Sequence, residues 1–184
     1  WFVEATGIWK SATGKPGDFC VKKPGICEGG VCKKCGIPHE AGSTGFGVVQ
    51  ATKVAAKIMG LDLKKATASI HGFGNVGTFV FKFLTELGVK VTAIADKSCI
   101  LLAEEGFDRN EIEKLGREKK ELILYPKKAR KISAEEFWSF PVDIMIPASI
   151  TDVINETNKD KINAKIIVEA ANIPMRDNIE EELF

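Results

Sequence analysis

Neither sign of charge prevails in this sequence. Lys and Arg number 26 and Asp and Glu 25 among 184 residues, a formal net charge of +1. That balance removes the usual electrostatic basis for gripping nucleic acid or an anionic membrane surface. Long hydrophobic runs are lacking as well. The longest stretch without a charge, residues 66–81, carries three glycines, an Asn and a His, which no membrane span would hold. The opening Trp1-Phe2-Val3-Glu4 has neither the basic start nor the apolar centre of a secretory leader. With no initiator Met, the chain is expected to be an excised piece of a longer, cytoplasmic protein. Cysteines are five, an odd and uneven set that makes a poor disulfide framework. Internal repeats and low-complexity tracts are absent too. What remains is 45% apolar and 28% charged, the composition of a globular chain and not of a disordered one. The length suits one domain with a short appendage.

The first forty residues differ from the rest. Residues 14–36 hold six glycines and two prolines and show no apolar periodicity, so they read as a loop or a cross-linked arm. Regular patterns begin at Gly42. Val48, Ala51, Ala55 and Ile58 fall at helical spacing, with Gly60 as the stop. Residues 66–71 read as a strand, 75–87 as a helix closed by Gly88, and 89–95 as a strand. Residues 107–117 and 133–140 look helical, the second opened by a Ser133/Glu136 capping box. Residues 122–125 are expected to form a short strand. The apolar runs VDIMI (142–146) and AKIIVE (164–169) read as buried strands flanking a helix over 151–162, and 176–184 as a last helix. Strands alternating with helices at this spacing imply an α/β fold with a parallel sheet, and strands this apolar are covered on both faces.

The sharpest motif is Gly72-Phe73-Gly74-Asn75-Val76-Gly77. It follows a strand and opens a helix, where such a glycine pattern serves dinucleotide binding in a Rossmann-type, doubly wound sheet. Gly72 allows the tight turn, Gly74 lets a pyrophosphate approach the backbone, and Gly77 lets helix and strand pack closely. The helix start then offers N–H groups and partial positive charge to the phosphates. Asp96 ends the next strand, where an acid takes the ribose hydroxyls of adenosine. That favours NAD, because a carboxylate repels the extra phosphate of NADP. Lys97, next in sequence, could offset the repulsion and leaves NADP as the alternative.

Five ordered stretches resemble the coenzyme-binding domain of the glutamate, leucine, phenylalanine and valine dehydrogenases, glutamate dehydrogenase above all. They are ATGKP (12–16), STGFGVV (43–49), HGFGNVG (71–77), VDIMIPASITDVI (142–154) and AKIIVEAANIP (164–174). The resemblance implies that Thr44 approaches the nicotinamide carboxamide, that Ala148 and Ser149 lie beside the nicotinamide ribose, and that Asn172 lies near the nicotinamide ring. It implies oxidative deamination of an amino acid to a 2-oxo acid, with hydride transfer to the nicotinamide. The substrate would be held only with a preceding domain that carries the catalytic lysines and aspartate. Catalytic residues are therefore expected in none of these positions, and the fragment alone is expected to be inactive. The family's last strand and pivot helix are expected to follow residue 184. A homo-oligomer is compatible with the resemblance. Two departures concern the nicotinamide end: Phe46 stands where the family usually has Arg, and Ile173-Pro174-Met175-Arg176 replaces a Gly-Pro-Thr-Thr run.

Cys20, Cys27, Cys32 and Cys35 lie in a segment that departs from the family. Four thiolates in a loop-rich stretch can close a tetrahedral zinc site, and zinc would order a segment with no apolar face. His39 could replace one of them, and a plain loop with free thiols is the competing reading. The expected organisation is an arm over residues 1–41 and a dinucleotide-binding domain over 42–184, truncated at its C-terminus. A nucleotide sensor without catalysis is the second functional reading. Smaller features are expected to be structural: His71 in packing, Cys99 as a buried small apolar group, and the basic run 126–131 as a solvated face.

Overall fold

The computed structural model describes residues 41–183 in full and, before them, the backbone of two short strands. The chain divides into two units, Trp1–Ser43 and Thr44–Phe184. In the first, β1 (Cys27–Glu28) and β2 (Val31–Cys32) pair antiparallel, with Cys27 opposite Cys32 and Glu28 opposite Val31. The side chains of all four cysteines of the arm lie outside the described residues.

The second unit is an α/β domain. Helix α1 (Ser43–Ile58) leads into β3 (Thr67–His71), α2 (Asn75–Glu86) and β4 (Lys90–Ala95). Then come β5 (Ile100–Leu102), α3 (Arg109–Arg117), β6 (Arg130–Lys131) and α4 (Ala134–Ser139). Strands β7 (Val142–Pro147) and β8 (Ala164–Ile167) and helix α5 (Asp177–Leu183) complete it. The strand order is β6-β5-β4-β3-β7-β8, with β4, β3, β7 and β8 mutually parallel. Strands β5 and β6 extend that sheet antiparallel on the β4 side. Only four residues separate β4 from β5, too few for a parallel crossover. The Asp96 carboxylate closes that turn by accepting hydrogen bonds from the backbone N–H groups of Ser98 (2.7 Å) and Cys99 (2.9 Å).

Alternation along the strands feeds two cores. Ile70, Ile94, Ile144 and Ile146 pack with Val49, Val80, Phe81 and Leu84 of α1 and α2. Ala93, Ala95 and Met145 pack with Phe137 and Trp138 of α4 and Ile179 of α5. Helices thus cover both faces, as the doubly wound reading expects, and the near-continuous apolar runs are explained.

Three local expectations are corrected. The buried line of α1 is Gly45, Val48, Val49, Thr52 and Ala56, whereas Ala51 faces solvent and Ile58 is 79% exposed. Gly45 is responsible: a Cβ there would lie 2.7 Å from that of Phe79, so α1 meets α2 closely at this one glycine. Thr52 tolerates burial because its hydroxyl donates to the Val48 carbonyl at 2.9 Å. The strand expected at 122–125 is a 3-10 turn, Leu122–Leu124, in which Leu122 is buried and its N–H donates to Asp96 Oδ2 at 2.7 Å. The helix expected over 151–162 is a series of turns ending in a 3-10 turn, Lys159–Lys161. Asparagine side chains compete with the helical ladder there. Asn158 Oδ1 accepts from Asn155 N–H (2.8 Å) and its Nδ2 donates to the Val153 carbonyl (2.8 Å), while Asp152 takes a positive φ of 56°.

Candidate functional site

The chain leaves β3 at Gly72, crosses through α2 to β4 on one side, and later returns as β7 on the other. An open α/β sheet binds its ligand where the strand order reverses in this way, at the carboxyl ends of the strands. All the expected cofactor residues of the glycine turn lie at this point.

Each glycine of the turn meets a different surrounding. Gly72 has φ +123°, and a Cβ on it would fall 2.5 Å from the Ala148 carbonyl oxygen and 2.8 Å from Ser149 N. The turn is clamped from both sides: Gly72 N–H donates to the Ala95 carbonyl (2.9 Å) and Ala148 N–H to the His71 carbonyl (2.8 Å). At Gly77 a Cβ would lie 1.8 Å from the Gly72 carbonyl oxygen, so helix and turn pack as closely as backbone allows. Gly74 is the opposite case. It is exposed, and no atom lies within 4 Å of its would-be Cβ. The room it leaves is therefore open to a ligand and is not used for packing. Gly74 is also the N-cap of α2, and the first turn of that helix holds no acidic residue, so the positive end of its dipole is not offset from within. Phe73 and Val76 pack against the core, which leaves their backbone as the part available to a ligand, while Asn75 is exposed.

On the β4 side, Asp96 is shared. Besides the two backbone bonds that close the β4–β5 turn, its Oδ1 accepts from the Ser98 hydroxyl (2.6 Å) and its Oδ2 from Leu122 N–H. Burial pushes this carboxyl up, but the hydrogen bonds from Ser98, Leu122 and Cys99 outweigh it and hold it below the usual aspartate value. A carboxylate kept ionised retains acceptor capacity on Oδ2. Lys97 points to Glu121, with Nζ 2.9 Å from its carboxylate, on a side chain that is 82% exposed.

On the β7 side, Ala148 is half-buried and Ser149 exposed. Ser149 Oγ and His71 Nδ1 are hydrogen-bonded at 2.8 Å. The expectation of packing for His71 holds in part: its ring stacks on Trp138 (centroids 4.9 Å, 18°) and meets Phe137 edge-on at 5.3 Å. The contact with Ser149 has no local signal, since 78 residues separate the two. Asn172 is exposed in the loop after β8, and its carbonyl accepts from the Thr151 hydroxyl (2.9 Å). Of the departing run, Ile173 has φ +50° and is exposed, Pro174 and Met175 are buried, and Arg176 pairs twice with Asp152 (2.5 and 2.6 Å). Thr44 is exposed in the first turn of α1, one residue before the close approach of Gly45 to α2. Phe46 meets Phe83 edge-on at 5.7 Å. Cys99 is buried as expected, and Arg130 and Lys131 form an exposed edge strand.

Among the described residues, no group of three or more His, Cys, Asp or Glu is placed to hold a metal ion. No helix among them is long and apolar enough to cross a membrane.

The family model of the Glutamate/Leucine/Phenylalanine/Valine dehydrogenases matches residues 35–183. A glutamate dehydrogenase of Aeropyrum pernix is 39% identical over 150 residues, which cover 82% of this chain and 36% of that protein. An NADP-specific glutamate dehydrogenase of Saccharolobus shibatae is 35% identical over 153 residues, covering 79% and 36%. An NAD-specific one from Peptoniphilus asaccharolyticus is 39% identical over 137 residues, covering 72% and 32%. A solved glutamate dehydrogenase structure from Peptoniphilus asaccharolyticus superimposes with a TM-score of 0.65 at 28% identity, over 99% of this chain and 39% of that one. The chain thus spans about a third of the length of these curated relatives.

Proposed function

Because this chain belongs to the Glutamate/Leucine/Phenylalanine/Valine dehydrogenase family, we propose that it is the NAD(P)-binding domain of an amino-acid dehydrogenase acting on glutamate or a similar substrate. The observation that carries the reading is the open space over Gly74, set in a strand–turn–helix whose other two glycines are packed tight. The N–H groups of the Gly72–Gly77 turn and the start of α2 would hold the pyrophosphate. Asp96 would accept from the adenosine ribose, and Thr44, Ala148, Ser149 and Asn172 would surround the nicotinamide end. The chemistry supplied by a bound nicotinamide would be hydride acceptance, in the oxidative deamination of an amino acid to a 2-oxo acid and ammonia. This chain's part is to bind and orient the cofactor at the strand ends, within a domain over residues 42–184. The amino acid and its proton transfers are assigned to a partner domain, and a homo-oligomer is the assembly proposed.

NAD is the preferred cofactor in this reading. The ionised Asp96 would face the extra phosphate of NADP, and Lys97 is held by Glu121. Calorimetric titration with NAD and NADP tests both statements. NAD binding that is lost in Gly74→Val supports the site, and equal binding by parent and variant overturns it.

The second reading is a nucleotide-binding module without catalysis, its arm stapled by zinc on Cys20, Cys27, Cys32 and Cys35. In this reading Cys27 and Cys32, which stand opposite each other in the backbone register of β1 and β2, would supply two of the four thiolates. Elemental analysis of the purified chain decides it: one zinc per chain supports the site, and none removes it.

A further inference from the structure

His71 and Ser149 end two neighbouring strands on either side of the point where the sheet reverses its order. His71 is the last residue of β3, and Ser149 lies two residues beyond the end of β7. Their backbones are locked together, since Ala148 N–H donates to the His71 carbonyl at 2.8 Å. The imidazole itself is held firmly, stacked on Trp138 and edge-on to Phe137, both of which are buried. Burial pushes its pKa below the ordinary histidine value, which favours the neutral ring. Nδ1 of this fixed ring lies 2.8 Å from Ser149 Oγ. An exposed serine hydroxyl otherwise turns among three staggered positions. Here one is selected, whichever tautomer the ring takes.

The location gives that selection a purpose. If the pyrophosphate lies over Gly74 and the adenosine on the Asp96 side, the remaining nucleoside extends over the ends of β3 and β7. We infer that His71 is a positioning residue, which fixes the Ser149 hydroxyl for a ribose hydroxyl of the nicotinamide half of the cofactor. The inference rests on the dinucleotide-binding reading and goes beyond it by giving His71 a part that its packing alone does not require. The phenylalanine ring keeps the stack and loses Nδ1. Asparagine keeps a polar atom near the place of Nδ1 and loses the stack. The two substitutions therefore separate positioning from packing.

The test is calorimetric titration of the 184-residue chain with NAD and with ADP, the latter lacking the nicotinamide nucleoside. His71→Phe and Ser149→Ala are each expected to weaken NAD binding about fivefold, the effect of one net hydrogen bond. The double variant should be no weaker than either single one. His71→Asn should stay within about twofold of the parent, and ADP should bind all variants alike. The inference is overturned if His71→Phe binds NAD like the parent, if His71→Asn loses as much as His71→Phe, or if NAD and ADP are weakened equally. A parent chain that binds neither NAD nor ADP removes the dinucleotide reading itself, and the role of His71 with it.

Discussion

Gly74 and Gly77 belong to one six-residue motif, yet a side chain added to each has opposite consequences. At Gly77 the added carbon would collide with the Gly72 carbonyl oxygen, whereas at Gly74 it would meet no atom of the protein. Gly77→Ala is accordingly expected to destabilise the fold by about 1–3 kcal/mol or more, measured as a lower urea midpoint. Gly74→Ala should leave the stability within about 0.5 kcal/mol of the parent, and a larger residue there should abolish only nucleotide binding. His71 supports a prediction about acid. Its folded pKa lies below the ordinary 6.5 because of burial, so the unfolded chain binds the proton more readily. The stability it contributes is complete above pH 6.5 and is lost as pH falls from there through the folded value. Thermal melts of the parent minus those of His71→Phe should therefore decline below pH 6.5. A difference constant down to pH 4.5 would contradict the shift. Asp96 and Asp143, both held below 3.8, lose their contributions only at lower pH.

At the scale of elements, the segment between β7 and β8 shows how side chains redirect a backbone. Asn158 is buried and satisfies both the N–H of Asn155 and the carbonyl of Val153. The segment is also tied to the loop after β8, with Asp152 N–H donating to the Ile173 carbonyl and Ile154 N–H to that of Pro174. Asn158→Ala leaves buried polar groups without partners and is expected to cost about 1–3 kcal/mol, read from chemical denaturation. The adjoining loops carry Ser149 and Asn172, so the same variant should weaken NAD binding more than ADP binding. The α1 helix makes a related point. Its apolar positions allow two faces, and Gly45 selects the one that brings backbone against α2.

For the whole molecule, the sheet reverses its strand order between β3 and β7, and a dinucleotide held at that point should stabilise everything that surrounds it. A ligand that binds only the folded state at 100 times its Kd adds about 2.7 kcal/mol. NAD at that excess is expected to raise the melting temperature of the chain. NADP at the same concentration should raise it less, for an affinity lower by about tenfold. Glu121→Gln, which releases Lys97, should narrow the gap between the two, and an unchanged gap would show that Lys97 does not reach the extra phosphate. Much of this architecture is legible in the sequence alone. The four parallel strands β3, β4, β7 and β8, the helix after Gly74, its end at Gly88, the fold class and the family all follow from local periodicity, from glycines where φ must be positive or backbones must touch, and from five motifs in order, whereas the short antiparallel strands β5 and β6 carry no such signal. Those requirements act within a few residues, so the sequence states them directly. Tertiary structure alone decided which face of α1 is buried, that residues 151–162 are not helical, that Leu122 shares the Asp96 carboxylate, and that His71 meets Ser149. Each of these depends on partners that the fold brings together from distant parts of the chain. Local propensity carries no record of such partners, because a hydrogen bond or a close backbone contact exists only once both sides are in place.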